Sequence, residues 1–119
     1  MSDGIVWETL PVAIKGPDAE IRKGDFGGLS ICLLKLDKGH DTRPIFRGMP
    51  DDLCQIPHWG YIVRGRIRLW TQDGPQSYEP GDAFYWAPGH APEALEDSEY
   101  VEISGTQEYD ELLKHIGAA

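Results

Sequence analysis

Residues 58–89 constrain this chain more than any other stretch. They open with His58-Trp-Gly-Tyr-Ile-Val-Arg-Gly-Arg-Ile-Arg-Leu-Trp70, two short apolar-and-polar runs that meet at Gly65. The turn-forming residues Asp73-Gly-Pro75 follow. Pro80-Gly-Asp82 then introduces Ala83-Phe-Tyr-Trp86, which stops before Pro88-Gly89. Glycine and proline at such points end strands rather than continue them. Short strands with turn signals between them point to an all-β sandwich or barrel.

The rest of the chain reads the same way. A first strand is expected at 5–10, and weaker ones at 13–15 and 19–22 around the turn Gly16-Pro17-Asp18. A loop is expected at 24–28. Leu29–Leu36 is the strongest strand: both of its faces are apolar, as in a strand covered on two sides. Further strands are expected at 41–47, 61–63, 66–71, Gln76–Tyr78, Ala83–Trp86, 93–95 and 99–103, with 61–63 and 66–71 paired as a hairpin around Arg64-Gly65. The 14 glycines and 9 prolines among 119 residues suit such a turn-rich chain.

The period changes near the end. Tyr109, Leu112, Leu113 and Ile116 fall at i, i+3, i+4 and i+7, which predicts an amphipathic helix over about 106–116. Ser104 or Thr106 can cap it, and Ser104 with Gln107 has the spacing of a capping box. Acidic residues stand at its start and Lys114 and His115 at its end, matching the helix dipole. Such a helix closes a barrel end or packs on a partner subunit.

Charge and targeting signals narrow the function classes. With 11 basic and 20 acidic residues the net charge is −9, which disfavours nucleic acid as a partner. No stretch approaches the ~18 apolar residues of a membrane span. The N-terminus has neither the basic region nor the apolar run of a secretory signal. Cys32 and Cys54 do not make a disulfide framework, so a cytoplasmic protein with free thiols is expected. Cys32 sits in an apolar run and reads as a small core residue.

The glycine and proline scaffold resembles that of the cupins, over about residues 29–103. Cupins carry two motifs. The first runs Gly, five residues, His-x-His, three or four residues, Glu, six residues, Gly. The second runs Gly, five residues, Pro-x-Gly, two residues, His, three residues, Asn. Gly65 matches the closing Gly of the first motif, which puts its Glu position on His58. Counting on from Gly39 puts the two His positions on Ile45 and Arg47; counting back from His58 puts them on Asp52 and Cys54. Gly81 and Gly89 anchor the second motif, with its His position on Pro92 and its Asn position on Glu96. The backbone signals are present and the usual ligands are replaced. The resemblance implies a small jelly-roll barrel, a double-stranded β-helix with a short C-terminal α-helix, as one domain spanning 1–119. It also implies a homodimer.

Cys54, His58 and His90 are the candidate metal ligands, with Asp52 and Glu93 behind them. Cysteine with histidine favours zinc, or iron in a mixed site, with manganese or nickel ranking lower. On one straight strand Cys54 and His58 would stand about 13 Å apart. Sharing an ion therefore requires a bend, which Pro57 or Gly60 could supply. Without a metal, His58 would be a barrel-lining imidazole, His90 a rim residue and Cys54 a buried thiol. Arg47, Tyr61 and Trp86 are the expected substrate contacts, a cation and aromatic walls suited to a planar organic molecule. Arg64, Arg66 and Arg68 read as the outward row of a sheet. Two functions remain open. One is a cupin that binds a divalent metal and a small organic ligand in its mouth, with dioxygenase, isomerase or cyclase chemistry. The other is a metal-free, non-catalytic ligand-binding or sensing barrel.

Overall fold

The computed structural model describes residues 4–117. Two antiparallel sheets face each other. The strands are β1 (Val12–Lys15), β2 (Ala19–Phe26), β3 (Leu29–Leu36), β4 (His58–Arg64), β5 (Ile67–Thr71), β6 (Gln76–Tyr78), β7 (Ala83–Trp86), β8 (His90–Ala94) and β9 (Ser98–Gly105), followed by the helix α1 (Thr106–His115). One sheet has six strands in the order β1-β2-β3-β9-β4-β7; the other has three, β6-β5-β8. This is the expected all-β barrel with one C-terminal helix.

Alternation puts the core between the sheets. In β9, Ser98, Tyr100, Glu102 and Ser104 are buried, while Glu99, Val101 and Ile103 are only half-buried. In β4, His58 and Ile62 point inward and Trp59, Tyr61 and Val63 point out. Ile62, Ile67, Leu69, Phe84, Trp86 and Tyr100 fill the centre, with the Phe84 and Trp86 rings stacked at 3.8 Å. Gly60 lets β4 lie close to its neighbours: a Cβ there would stand 2.0 Å from the Val101 carbonyl oxygen.

Several local expectations are corrected. Residues 5–10 hold a 3₁₀ turn at Trp7–Thr9, fixed by the Thr9 hydroxyl and amide on the Val6 carbonyl, rather than a strand. Residues 41–47 hold a 3₁₀ turn at Arg43–Phe46; Pro44 near its start has no N–H to offer a sheet. The loop expected at 24–28 shrinks to the turn Gly27-Gly28, because β2 pairs with β3 out to Phe26↔Leu29. The hairpin around Gly65 does not exist. β4 pairs with β7 and β9, whereas β5 pairs with β6 and β8 in the other sheet. Gly65 is instead the corner where the chain changes sheets. Its φ is +87°, and a Cβ would lie 2.2 Å from Ser98 Oγ and 2.4 Å from the Asp97 carbonyl oxygen, so only glycine fits.

The helix starts where the sequence predicts, but Ser104 does not cap it. Gly105 holds the N-cap position without a side-chain bond, and Ser104 is buried in β9. Tyr109, Leu112 and Leu113 are buried against the barrel. The helix closes one barrel end. Lys23 pairs with Asp110 at 3.0 Å, and the Thr106 hydroxyl donates to Ser30 Oγ at 2.9 Å while Ser30 donates to Asp25, which fastens the helix start to β2 and β3.

Candidate metal centre and cavity

Cys54, His58 and His90 come together although they lie on different elements. Their ligating atoms fall within 4.8 Å of one another, and all three residues are buried. Cys54 is not on a strand with His58. It forms an isolated bridge with His90, and the chain turns through Gln55-Ile56-Pro57 before β4 begins at His58. That turn supplies the required bend. Backbone bonds lock the bridge: the Cys54 amide donates to the His90 carbonyl at 2.8 Å, and the Gly89 and His90 amides donate to the Cys54 carbonyl at 2.7 and 3.2 Å. The imidazoles of His58 and His90 meet edge to face, 4.9 Å between centroids.

Hydrogen bonding assigns both tautomers. The Ser104 hydroxyl donates to the Pro57 carbonyl at 3.0 Å, so its oxygen accepts from His58 Nδ1–H at 2.5 Å. His90 Nδ1 faces the Ala87 carbonyl at 2.7 Å, which can only accept, so Nδ1 carries the proton there too. Each ring therefore offers a bare Nε2. Burial, with the neighbouring His90 charge second, holds His58 well below the usual imidazole range; burial also lowers His90. Both rings are neutral at pH 7, the form that binds metals.

Glu102 completes the cluster, and the sequence reading missed it. Its Oε1 lies 3.8 Å from His58 Nε2, and Tyr109 donates to its Oε2 at 3.3 Å. Burial pushes the Glu102 carboxyl up to about 8 and the Cys54 thiol up to about 12. Cys54 Sγ lies 3.8 Å from His58 Nε2. A tetrahedral ion with Zn–N and Zn–S bonds of ordinary length needs N···S edges of about 3.6 Å, so this pair is already close to ligand spacing. Two bare nitrogens, a thiol and a carboxyl, with outer bonds fixing the rings, fit a divalent metal.

The other expected residues lie elsewhere. Asp52 is exposed and accepts the Gly48 amide, and Glu93 accepts Trp70 Nε1–H. Arg47 is exposed, with its carbonyl bonded to His115 Nε2. Tyr61 has the opposite parity to His58 on β4, so its side chain points out and is 48% exposed. Trp86 faces inward but is packed in the core against Phe84. None of these three lines the cavity beside the cluster.

That cavity measures about 250 Å³. His58, His90, Glu102, Tyr100 and Tyr109 form part of its wall. Ile14 and Ile21 from the first sheet strands, Leu34 and Leu36 from β3, Phe46 and Leu112 supply apolar wall, and His40, Thr42 and Asp18 add polar groups. Ile45, one of the counted motif positions, also lines it. The Tyr100 hydroxyl is buried and has no hydrogen-bond partner among the described residues.

No family model matches the sequence, and no curated protein matches it. Solved structures do share its architecture. KdgF from Halomonas sp. superposes with a TM-score of 0.65 at 22% identity, covering 88% of this chain and 94% of that one. A sugar phosphate isomerase of the cupin superfamily from Silicibacter pomeroyi gives 0.64 at 12% identity, over 87% of this chain and 75% of that one. The polyketide cyclase RemF from Streptomyces resistomycificus gives 0.65 at 13% identity, over 88% and 80%. The barrel is a cupin fold. Among the described residues, no helix is long and apolar enough to cross a membrane.

Proposed function

We propose that this chain is a metal-dependent cupin enzyme acting on a small organic molecule. Cys54, His58 and His90 would hold the ion, with Glu102 as the fourth protein group. The observation that carries this reading is the pair of bare Nε2 atoms converging beside Cys54, each fixed by a hydrogen bond at Nδ1. Zinc or iron suits a donor set of one sulfur, two nitrogens and one carboxylate. The charges balance as well: a thiolate and a carboxylate match a divalent cation in a site that could not carry net charge cheaply.

A bound divalent ion would supply Lewis-acid polarisation of a substrate oxygen. The chain's own groups prepare the place. Ser104 and the Ala87 carbonyl hold the two imidazoles in orientation. The Tyr109 hydroxyl holds one oxygen of Glu102. The apolar walls keep water from the reacting end, which strengthens every charge interaction there. Isomerase and cyclase activities occur among proteins of this fold, and either fits a largely apolar cavity of this kind; the fold itself selects neither.

The test is metal content by inductively coupled plasma mass spectrometry on tag-free protein, followed by zinc and iron titration. One ion per chain is expected, lost in Cys54→Ala, His58→Ala and His90→Ala. No metal retained from either titration would overturn the reading and leave a metal-free ligand-binding barrel.

A further inference from the structure

The cavity beside the cluster has a chemistry of its own. Among the described residues that line it there is no lysine and no arginine. The carboxyl groups in its wall are those of Glu102 and Asp18. The whole chain carries a net charge of −9. A phosphate or carboxylate entering here would leave water and find no lysine or arginine to pair with, and an ion already balanced by the Cys54 thiolate and the Glu102 carboxylate brings no net positive charge; buried charges without partners are strongly disfavoured. A strongly polar sugar fares little better. Its several hydroxyls would face Ile21, Leu34, Phe46 and Leu112, which offer no hydrogen bonds.

Size adds a second limit. An apolar cavity of roughly 150 Å³ accepts a benzene ring. The 250 Å³ here holds one ring with short substituents. The polar features are unevenly spread: His58, His90 and Glu102 form one cluster, and Tyr100, whose buried hydroxyl has no partner among the described residues, lines the cavity as well. That hydroxyl is a donor with no acceptor among the described residues.

We infer that the cavity takes an uncharged, largely apolar molecule about the size of one substituted ring, with its single polar group turned toward Tyr100 and the two histidines. The inference rests on the reading of this cavity as the ligand site, and it deepens that reading by naming the ligand class. It sets this chain apart from the sugar phosphate isomerase that shares its fold, since a phosphorylated substrate has no lysine or arginine to meet here.

The experiment uses three probes of one shape: 4-methylphenol, toluene and 4-methylbenzoate. Binding is followed by backbone amide shifts in the full chain, in metal-free and zinc-loaded samples. 4-Methylphenol is expected to bind most tightly, with shifts centred on Leu34, Tyr100 and Leu112. In the metal-free sample 4-methylbenzoate is expected to bind at least about tenfold more weakly, because its charge enters unpaired. Tyr100→Phe, which removes only the orphaned hydroxyl, should cut the preference for 4-methylphenol over toluene by about fivefold. 4-Methylbenzoate binding as tightly as 4-methylphenol to the metal-free chain would overturn the inference, as would failure of all three probes. An unchanged preference in Tyr100→Phe would overturn the proposed orientation. Probe binding without zinc retention would refute the metal reading alone, and zinc retention without probe binding would refute the ligand class alone.

Discussion

Glu102 is a carboxyl that keeps its proton inside the folded barrel, and Glu102→Gln tests this directly. Burial raises it to about 8 against an ordinary 4.5. Between those values the unfolded chain ionises and the folded chain does not, so the folded state binds more protons. Stability of the metal-free protein must then fall as pH rises through that window. A gap of about 3.5 units corresponds to about 5 kcal/mol at most, and relaxation around the carboxyl brings the expected figure to about 2–5 kcal/mol. Glutamine keeps the shape, still accepts from the Tyr109 hydroxyl and cannot ionise. His58 and His90 act in the opposite sense. Their lowered values favour the fold as pH rises, in wild type and variant alike. The quantity to read is therefore the difference between wild type and variant. Urea unfolding in the presence of a chelator, at about pH 5 and about pH 8, gives it by linear extrapolation. The variant should gain on the wild type by about 2–3 kcal/mol between the two conditions. Parallel pH dependences in the two proteins would refute the argument that this carboxyl is held neutral by burial.

Zinc loading near pH 7 should release about two protons per ion, because the Cys54 thiol and the Glu102 carboxyl both start protonated; calorimetry in buffers of different ionisation enthalpy counts them, and a count near zero would rule out thiolate ligation. Ser104→Ala should weaken zinc about 10- to 100-fold in chelator competition while the fold persists, since it frees the His58 ring to rotate; unchanged affinity would mean that Ser104 does not set the orientation. Gly65→Ala should cost about 2–4 kcal/mol in urea unfolding, from the positive φ and the crowding against Ser98 together, and a loss below about 1 kcal/mol would mean that the corner moves freely.

Much of the fold was legible because its signals are local. Leu29–Leu36 reads as a strand covered on both sides, and in the structure it lies between β2 and β9 with Cys32, Leu33, Leu34 and Leu36 buried. The stripe Tyr109-Leu112-Leu113 gives the helix for the same reason. What failed depends on partners far away in sequence. Nothing near Gly65 tells a hairpin from a corner, since both need a glycine with positive φ; only the pairing of β4 with β9 and of β5 with β8 decides it. The site divides in the same way. Cysteine and histidine are conspicuous by residue type, so Cys54, His58 and His90 stand out on reading. Glu102 is one of many acidic residues and looks like a solvated one. The available signal was parity: it shares a strand face with Ser98, Tyr100 and Ser104, while Val101 and Ile103 take the other. Tyr61 shows the opposite error, an aromatic chosen for its chemistry whose parity on β4 turns it outward.

The bridge between Cys54 and His90 is made entirely by main-chain atoms. The separation of these two positions is therefore held by groups every residue possesses, whatever side chain each carries. The donor at 54 or 90 can be exchanged for another without redrawing the skeleton that presents it. A chain built this way can change the hardness of its ligands, and with it the ion it prefers, by single substitutions. Architecture and coordination chemistry are free to evolve as separate characters of one small barrel.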